Sequence, residues 1–137
     1  MNRIYNYINI ILGLMLFASC STEDTPDSSD DLALYYVKYE VTFKTKHVNT
    51  EKIIRFKTEN GKERISFTEW KSSISWDGTY GPVDKNFRPF ISCVVPDYKY
   101  ASEIHARIYI SREKEPFVIK AEGDGEYSLS LETKIDF

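Results

Sequence analysis

Cysteine and histidine are scarce in this chain, with 2 of each among 137 residues. Neither His47 nor His105 has a serine, cysteine or second histidine at a catalytic or metal-binding spacing, and no HExxH or nucleophile elbow occurs. Neither charge sign dominates. The 18 Lys+Arg and 21 Asp+Glu give a net charge of -3, which argues against a nucleic-acid partner, since that needs a basic patch. No apolar run approaches the roughly 20 residues of a membrane-spanning helix. No helical period outlasts one turn, and no sequence repeat occurs. What remains is an aromatic-rich chain, 42% hydrophobic, 28% charged and 15% aromatic, with 10 tyrosines. That composition favours strands in one globular domain.

The first 19 residues carry one charge, Arg3, followed by an apolar run from Ile8 to Phe17. The length suits the core of a signal peptide. Leu16-Phe17-Ala18-Ser19-Cys20 closes the run, with small residues where a protease must approach the backbone. This segment resembles the lipobox of bacterial lipoproteins, which implies that residues 1–19 are removed and that Cys20 carries lipid. Residues 20–31 hold five acids (Glu23, Asp24, Asp27, Asp30, Asp31), no base and no large apolar side chain, so they read as a tether. Ser21-Thr22-Glu23-Asp24 resembles the export signal of Bacteroidetes surface lipoproteins. The resemblance places the protein at the outer membrane, on the surface or facing the periplasm. With Cys20 lipidated, Cys93 stands alone in the apolar run Phe90–Val95, and the domain depends on its core without a disulfide.

Residues 32–137 form the domain. Strict alternation runs from Tyr35 through Phe43, with Tyr35, Val37, Tyr39, Val41 and Phe43 on one face and Tyr36, Lys38, Glu40, Thr42 and Lys44 on the other. Residues 53–70 read as a hairpin turning at Asn60-Gly61. Ser73–Trp76 is a short strand, and Asp77-Gly78 and Gly81-Pro82 signal turns around Tyr80. Phe87–Val95 reads as a central strand, and residues 97–103 as a connection that accommodates one helical turn. A strand from Ile104 to Ser111 alternates Ile104, Ala106, Ile108 and Ile110 with His105, Arg107 and Tyr109. Phe117–Ala121 pairs back, Gly123-Asp124-Gly125 signals a turn, and alternation resumes from Tyr127 to Ile135. Seven to eight strands in this pattern predict an all-β fold, an antiparallel β-sandwich, immunoglobulin-like in the broad sense, with a closed barrel as the alternative.

Chemistry-bearing patterns are few. Glu122-Gly123-Asp124-Gly125-Glu126 supplies three carboxylates, yet it lacks EF-hand spacing and suits a hairpin. No metal, cofactor or catalytic residue is expected, and the reading is non-enzymatic. Trp76, Tyr80, Tyr98 and Tyr100 are the candidate contacts to a protein or glycan, with Trp70 assigned to the core.

Tyr39-Glu40-Val41, Asn60-Gly61, Trp70, Gly81-Pro82-Val83, Phe90-Ile91-Ser92-Cys93 and the hairpin from Ile108-Tyr109-Ile110 to Tyr127-Ser128-Leu129 together resemble the MmpS family. These are small membrane-anchored β-sandwich proteins that accompany lipid and siderophore exporters. The resemblance spans residues 35–133. It implies a sandwich and an accessory role in envelope transport, although that family uses a transmembrane anchor. Two expectations follow: a binding or accessory module of the cell envelope, and, as the alternative, a subunit of an envelope transport complex.

Overall fold

A computed structural model of the chain describes residues 33–46, 50–68, 73–97, 99 and 102–137. The eight strands are β1 (Tyr35–Thr45), β2 (Lys52–Lys57), β3 (Glu63–Thr68), β4 (Ser73–Val83), β5 (Phe90–Val94), β6 (Ser102–Arg112), β7 (Val118–Gly125) and β8 (Ser128–Glu132). They form two antiparallel four-stranded sheets: β4-β1-β6-β7, the first sheet, and β3-β2-β5-β8, the second. The fold is an all-β sandwich, as the alternation predicts.

Alternation becomes burial directly. Tyr35, Val37, Tyr39, Val41 and Phe43 of β1 are all buried, and so are Ile104, Ala106, Ile108 and Ile110 of β6. Ile54, Phe56, Ile91 and Cys93 of β2 and β5 meet them from the second sheet. The two central pairs thus build the core, and the edge strands add half-buried Trp76, Tyr80, Leu129 and Leu131. Tyr39 also joins the layers through a polar contact, donating its hydroxyl to the Lys57 carbonyl at 2.9 Å. Burial pushes that hydroxyl well above the ordinary tyrosine range.

The chain crosses between sheets from β1 to β2 and again from β4 to β5, while β1 lies beside β4 and β2 beside β5. This interlocking fixes which faces meet. A second such pair is formed by β5 to β6 and β7 to β8. The start of β1, the start of β7 and the chain end share one end of the sandwich, since Tyr35 pairs with Arg112, Ile110 with Val118, and the Phe137 ring lies 5.6 Å from that of Tyr35. Ile135 is buried there and helps to close the core. At the opposite end Thr45 pairs with Ser102, and buried Thr50 accepts a hydrogen bond from Lys52 Nζ at its carbonyl, at 3.1 Å. Burial lowers the Lys52 ammonium from its ordinary value.

Three sequence expectations change. The Asn60-Gly61 turn forms, with Gly61 at a φ of 69°, but Asp77-Gly78 and Gly81-Pro82 do not end a strand. They lie within β4, which runs eleven residues beside β1. Gly81, at a φ of 142°, instead absorbs a bulge: three residues of β4 (Tyr80 to Val83) advance against two of β1 (Val37 to Tyr35). Gly123-Asp124-Gly125 is likewise strand, pairing with Ala106, His105 and Ile104. Its glycines admit the other sheet, because a Cβ on Gly123 would lie 3.0 Å from a Leu131 methyl and 3.2 Å from one of Leu129. Regular pairing in the final strand stops at Glu132.

Cys93 tests the core directly. It is fully buried between Ile54 and Leu129 in the strand register, and burial pushes its thiol up to about 12. The thiolate is the reactive form, so folded protein at neutral pH is expected to resist iodoacetamide at Cys93 and to react promptly in denaturant. Rapid alkylation without denaturant, read by mass spectrometry, would contradict this packing.

Candidate functional site: the outer face of the first sheet

The outward residues of four strands form rows, because antiparallel pairing places facing residues on the same side of a sheet. One row is Thr79, Lys38, Tyr109 and Ile119. The next is Asp77, Glu40, Arg107 and Glu122, and a third is Ser75, Thr42, His105 and Asp124. The inner faces of β1 and β6 are apolar, so period-two alternation leaves these polar side chains no other direction.

Hydrogen bonds join the first two rows and run along the second and third. Glu40 accepts from Lys38 Nζ at 2.6 Å and from the Tyr109 hydroxyl at 2.5 Å. Arg107 Nε donates to Glu122 at 2.7 Å. His105 Nδ1 lies 2.7 Å from Asp124 Oδ1, and its Nε2 lies 3.2 Å from Glu122 Oε1 without the alignment of a hydrogen bond. The Lys38 ammonium sits 5.6 Å from the Tyr109 ring centroid. Beside His105 a hollow of about 350 Å³ is lined by Thr42, Lys44, Glu103, Ile104, His105 and Asp124.

The electrostatics follow from these bonds. Hydrogen bonds from Lys38 and Tyr109 lower the Glu40 carboxyl, which raises Lys38 and Tyr109 in turn. The bond to Glu122 raises Arg107. Side chains here are roughly a third exposed, so water screens each pair and leaves it little net stabilisation. Stability is therefore a weak reason for so ordered a surface. Fixed charges of alternating sign instead suit complementary recognition, where they set partner choice and register.

One pH effect has a definite sign. A carboxyl lowered in the folded state contributes stability above its unfolded value and loses it as pH falls through the folded value. Glu40→Gln is therefore expected to flatten the acid limb of stability below the ordinary glutamate range by up to about 1 kcal/mol. Urea midpoints across the acid range read this, and equal slopes for the two proteins would contradict the assignment.

Trp76 and Tyr80 do not stand on loops. Both lie in β4 with their rings directed at the core, 4.8 and 5.1 Å from the Phe56 ring, and Tyr80 also lies 6.0 Å from Tyr39. Burial raises the Tyr80 hydroxyl. Their half-burial is that of packing residues on an edge strand; Gly81 absorbs the bulge, while Gly78 pairs regularly with Tyr39 and leaves room for the Tyr80 ring. Cys20, His47, Trp70, Tyr98 and Tyr100 lie outside the described residues. Glu122 and Asp124 point outward to Arg107 and His105, and Glu126 lies beyond the strand. Among the described residues, no group of three or more His, Cys, Asp and Glu side chains is placed to hold a metal ion.

Alternation already puts Lys38, Glu40, His105, Arg107 and Tyr109 on polar faces. What sequence reasoning misses is that β1 and β6 are neighbours, which brings Glu40 to Tyr109 across 69 residues. Equal spacing of charges in two long strands is the available signal, and it names no partner strand.

Compared with known proteins, the chain matches no family model, no curated protein and no solved structure.

Proposed function

We propose that the chain is a lipid-anchored, exported binding or accessory module of a bacterial cell envelope, non-enzymatic, held at the outer membrane by lipid on Cys20. It meets an envelope protein through the outer face of the first sheet. The anchor is supported by the lipobox-like Leu16–Cys20 and the acidic segment that follows. The contact is supported by one observation above the others: Lys38, Glu40 and Tyr109 form one hydrogen-bonded group and Arg107 and Glu122 another beside it, across three strands. A broad face of fixed polar and charged groups fits a second protein surface better than a small molecule, which prefers a mostly apolar pocket.

Two measurements test the two halves. Cys20→Ala is expected to abolish incorporation of labelled palmitate and to move the protein from the membrane to the soluble fraction; retention in membranes would overturn the anchor. A photoreactive benzoylphenylalanine in place of Thr42 is expected to crosslink a discrete envelope protein in intact cells, and Glu40→Lys with Arg107→Glu is expected to abolish that product. Recovery of an exporter component would specify the accessory-subunit role. Crosslinking from Arg55 of the second sheet but not from Thr42 would overturn the assigned face, and glycan in place of protein would overturn the partner class.

A further inference from the structure

Six large apolar side chains are exposed among the described residues, and five of them gather at one end of the sandwich. They are Leu34 at 49% exposure, Phe117 at 40%, Val118 at 48%, Ile119 at 45% and Phe137 at 46%. The sixth, Ile65, lies on β3 of the second sheet. Pairing and contacts place the five at that end, where Val118 stands opposite Ile110 and Ile119 opposite Tyr109. The Leu34 carbonyl accepts from the Glu113 amide at 2.7 Å, at the turn that leads into Phe117. Phe137 rests near Tyr35, and the Lys120 ammonium lies 4.3 Å from the Phe137 ring centroid. Lys120 also donates to the Asp136 carbonyl at 2.5 Å, so its apolar stem follows the patch while its charge stays at the rim.

β7 is an edge strand, and edge strands are ordinarily blunted by charge. The later part of β7 obeys this with Lys120, Glu122 and Asp124, whereas Phe117-Val118-Ile119 presents three consecutive exposed apolar residues. A strand from another protein added to β7 would cover that edge alone. It would leave Leu34 and Phe137, which come from other segments, in water. A broad apolar surface matches the whole group better.

We propose that this end of the sandwich docks on the lipid bilayer surface through Leu34, Phe117, Val118, Ile119 and Phe137; the proposal rests on the anchoring of Cys20. Position supports it. Leu34 stands 14 residues after Cys20. A segment of that length reaches about 50 Å at most. The far end of the eleven-residue β1 lies a further 37 Å or so along the strand. The patch is therefore at the end that the anchor keeps nearest the membrane, where high effective concentration makes a weak contact sufficient. Nearby charges are mixed (Arg112, Glu113, Lys114, Glu115), so docking is apolar and little affected by salt.

The test couples the chain from Cys20 onward, which holds every described residue, through its Cys20 thiol to a maleimide-headgroup lipid in phosphatidylcholine–phosphatidylethanolamine vesicles. Chemical coupling makes the outcome independent of natural lipidation, so failure of the anchor and failure of docking are separately visible. Hydrogen exchange of the anchored chain is compared with that of uncoupled Cys20→Ala. Amides of residues 117–121 and 134–137 are expected to exchange at least about fivefold more slowly when anchored. Phe117→Asp with Ile119→Asp is expected to remove that protection, whereas Ile65→Asp leaves it intact. No protection on anchoring would overturn the proposal, as would protection retained by the double variant. Protection that appears equally in concentrated, uncoupled protein would also overturn it, in favour of β7 pairing between copies of the chain.

Discussion

Phe56→Ala is expected to cost about 3–5 kcal/mol of folding stability, the range for removing a buried aromatic side chain and leaving its space unfilled. Phe56 is 4% exposed and stands where the two sheets meet. Its ring lies 6.0 Å from Tyr39, 4.8 Å from Trp76 and 5.1 Å from Tyr80, so truncation removes apolar burial and three aromatic contacts together. Each such contact adds about 0.5–1.5 kcal/mol beyond burial. Domains of this size have about 5–15 kcal/mol in total, so the variant keeps only part of its stability and melts roughly 15–30 °C lower. Trp76→Ala removes a larger ring but one only partly buried, and its loss is expected to be clearly smaller. Urea unfolding of both variants decides the matter. If Trp76→Ala proved the more damaging, the shared cluster would be centred on β4 and not on Phe56.

Gly125→Ala is expected to destabilise by about 3 kcal/mol, while Gly123→Ala changes stability by no more than about 1 kcal/mol. The two glycines lie on the same strand and both face β8, and they differ in what a methyl group would strike. At Gly125 the new Cβ would lie 2.5 Å from the Ser128 carbonyl oxygen, 3.2 Å from its carbon and 3.2 Å from Leu129 Cβ. Ser128 is backbone paired to Val94 and cannot withdraw without breaking the β5–β8 ladder. At Gly123 the obstacles are the terminal methyls of Leu131 and Leu129, which can rotate. An alanine in a strand also loses less chain entropy on folding than glycine, which offsets part of that smaller strain. Equal costs at the two positions would show that the β7–β8 corner yields as a unit.

The legible part of this fold is its period. Tyr35 to Phe43 and Ile104 to Ile110 alternate without error, and each apolar member is buried. Asn60-Gly61 turns as its chemistry requires, because the turn is local. The errors share one cause. Glycine in Gly78, Gly81, Gly123 and Gly125 reads as a turn signal, yet the same residue serves close approach within a strand, and only the neighbouring layer distinguishes the two. Neighbour relations were also hidden: β1 pairs with strands that begin 38 and 67 residues after it begins, at Ser73 and Ser102. The charged rows depend on those pairings. Their members were visible as polar positions, while their contacts were not. Trp76 and Tyr80 read as surface residues because of flanking glycines, of which Gly81 belongs to a bulge and Gly78 makes room for the Tyr80 ring.

The order of the first sheet also sets a sequence of events during synthesis. β1 is made first and occupies the middle of its sheet, between β4 and β6. Until β4 emerges, its five large apolar side chains and both rows of backbone groups have no native partner in that sheet. Until β6 emerges, at Ser102–Arg112, one side of it stays open. Contacts separated this widely in sequence are slow to form, since a long loop must close before any pairing compensates for the lost chain freedom. A growing chain therefore carries an exposed, alternating β-strand until β6 emerges, the kind of segment that pairs with its own copies. The first sheet therefore cannot close until β6 and β7 have both emerged.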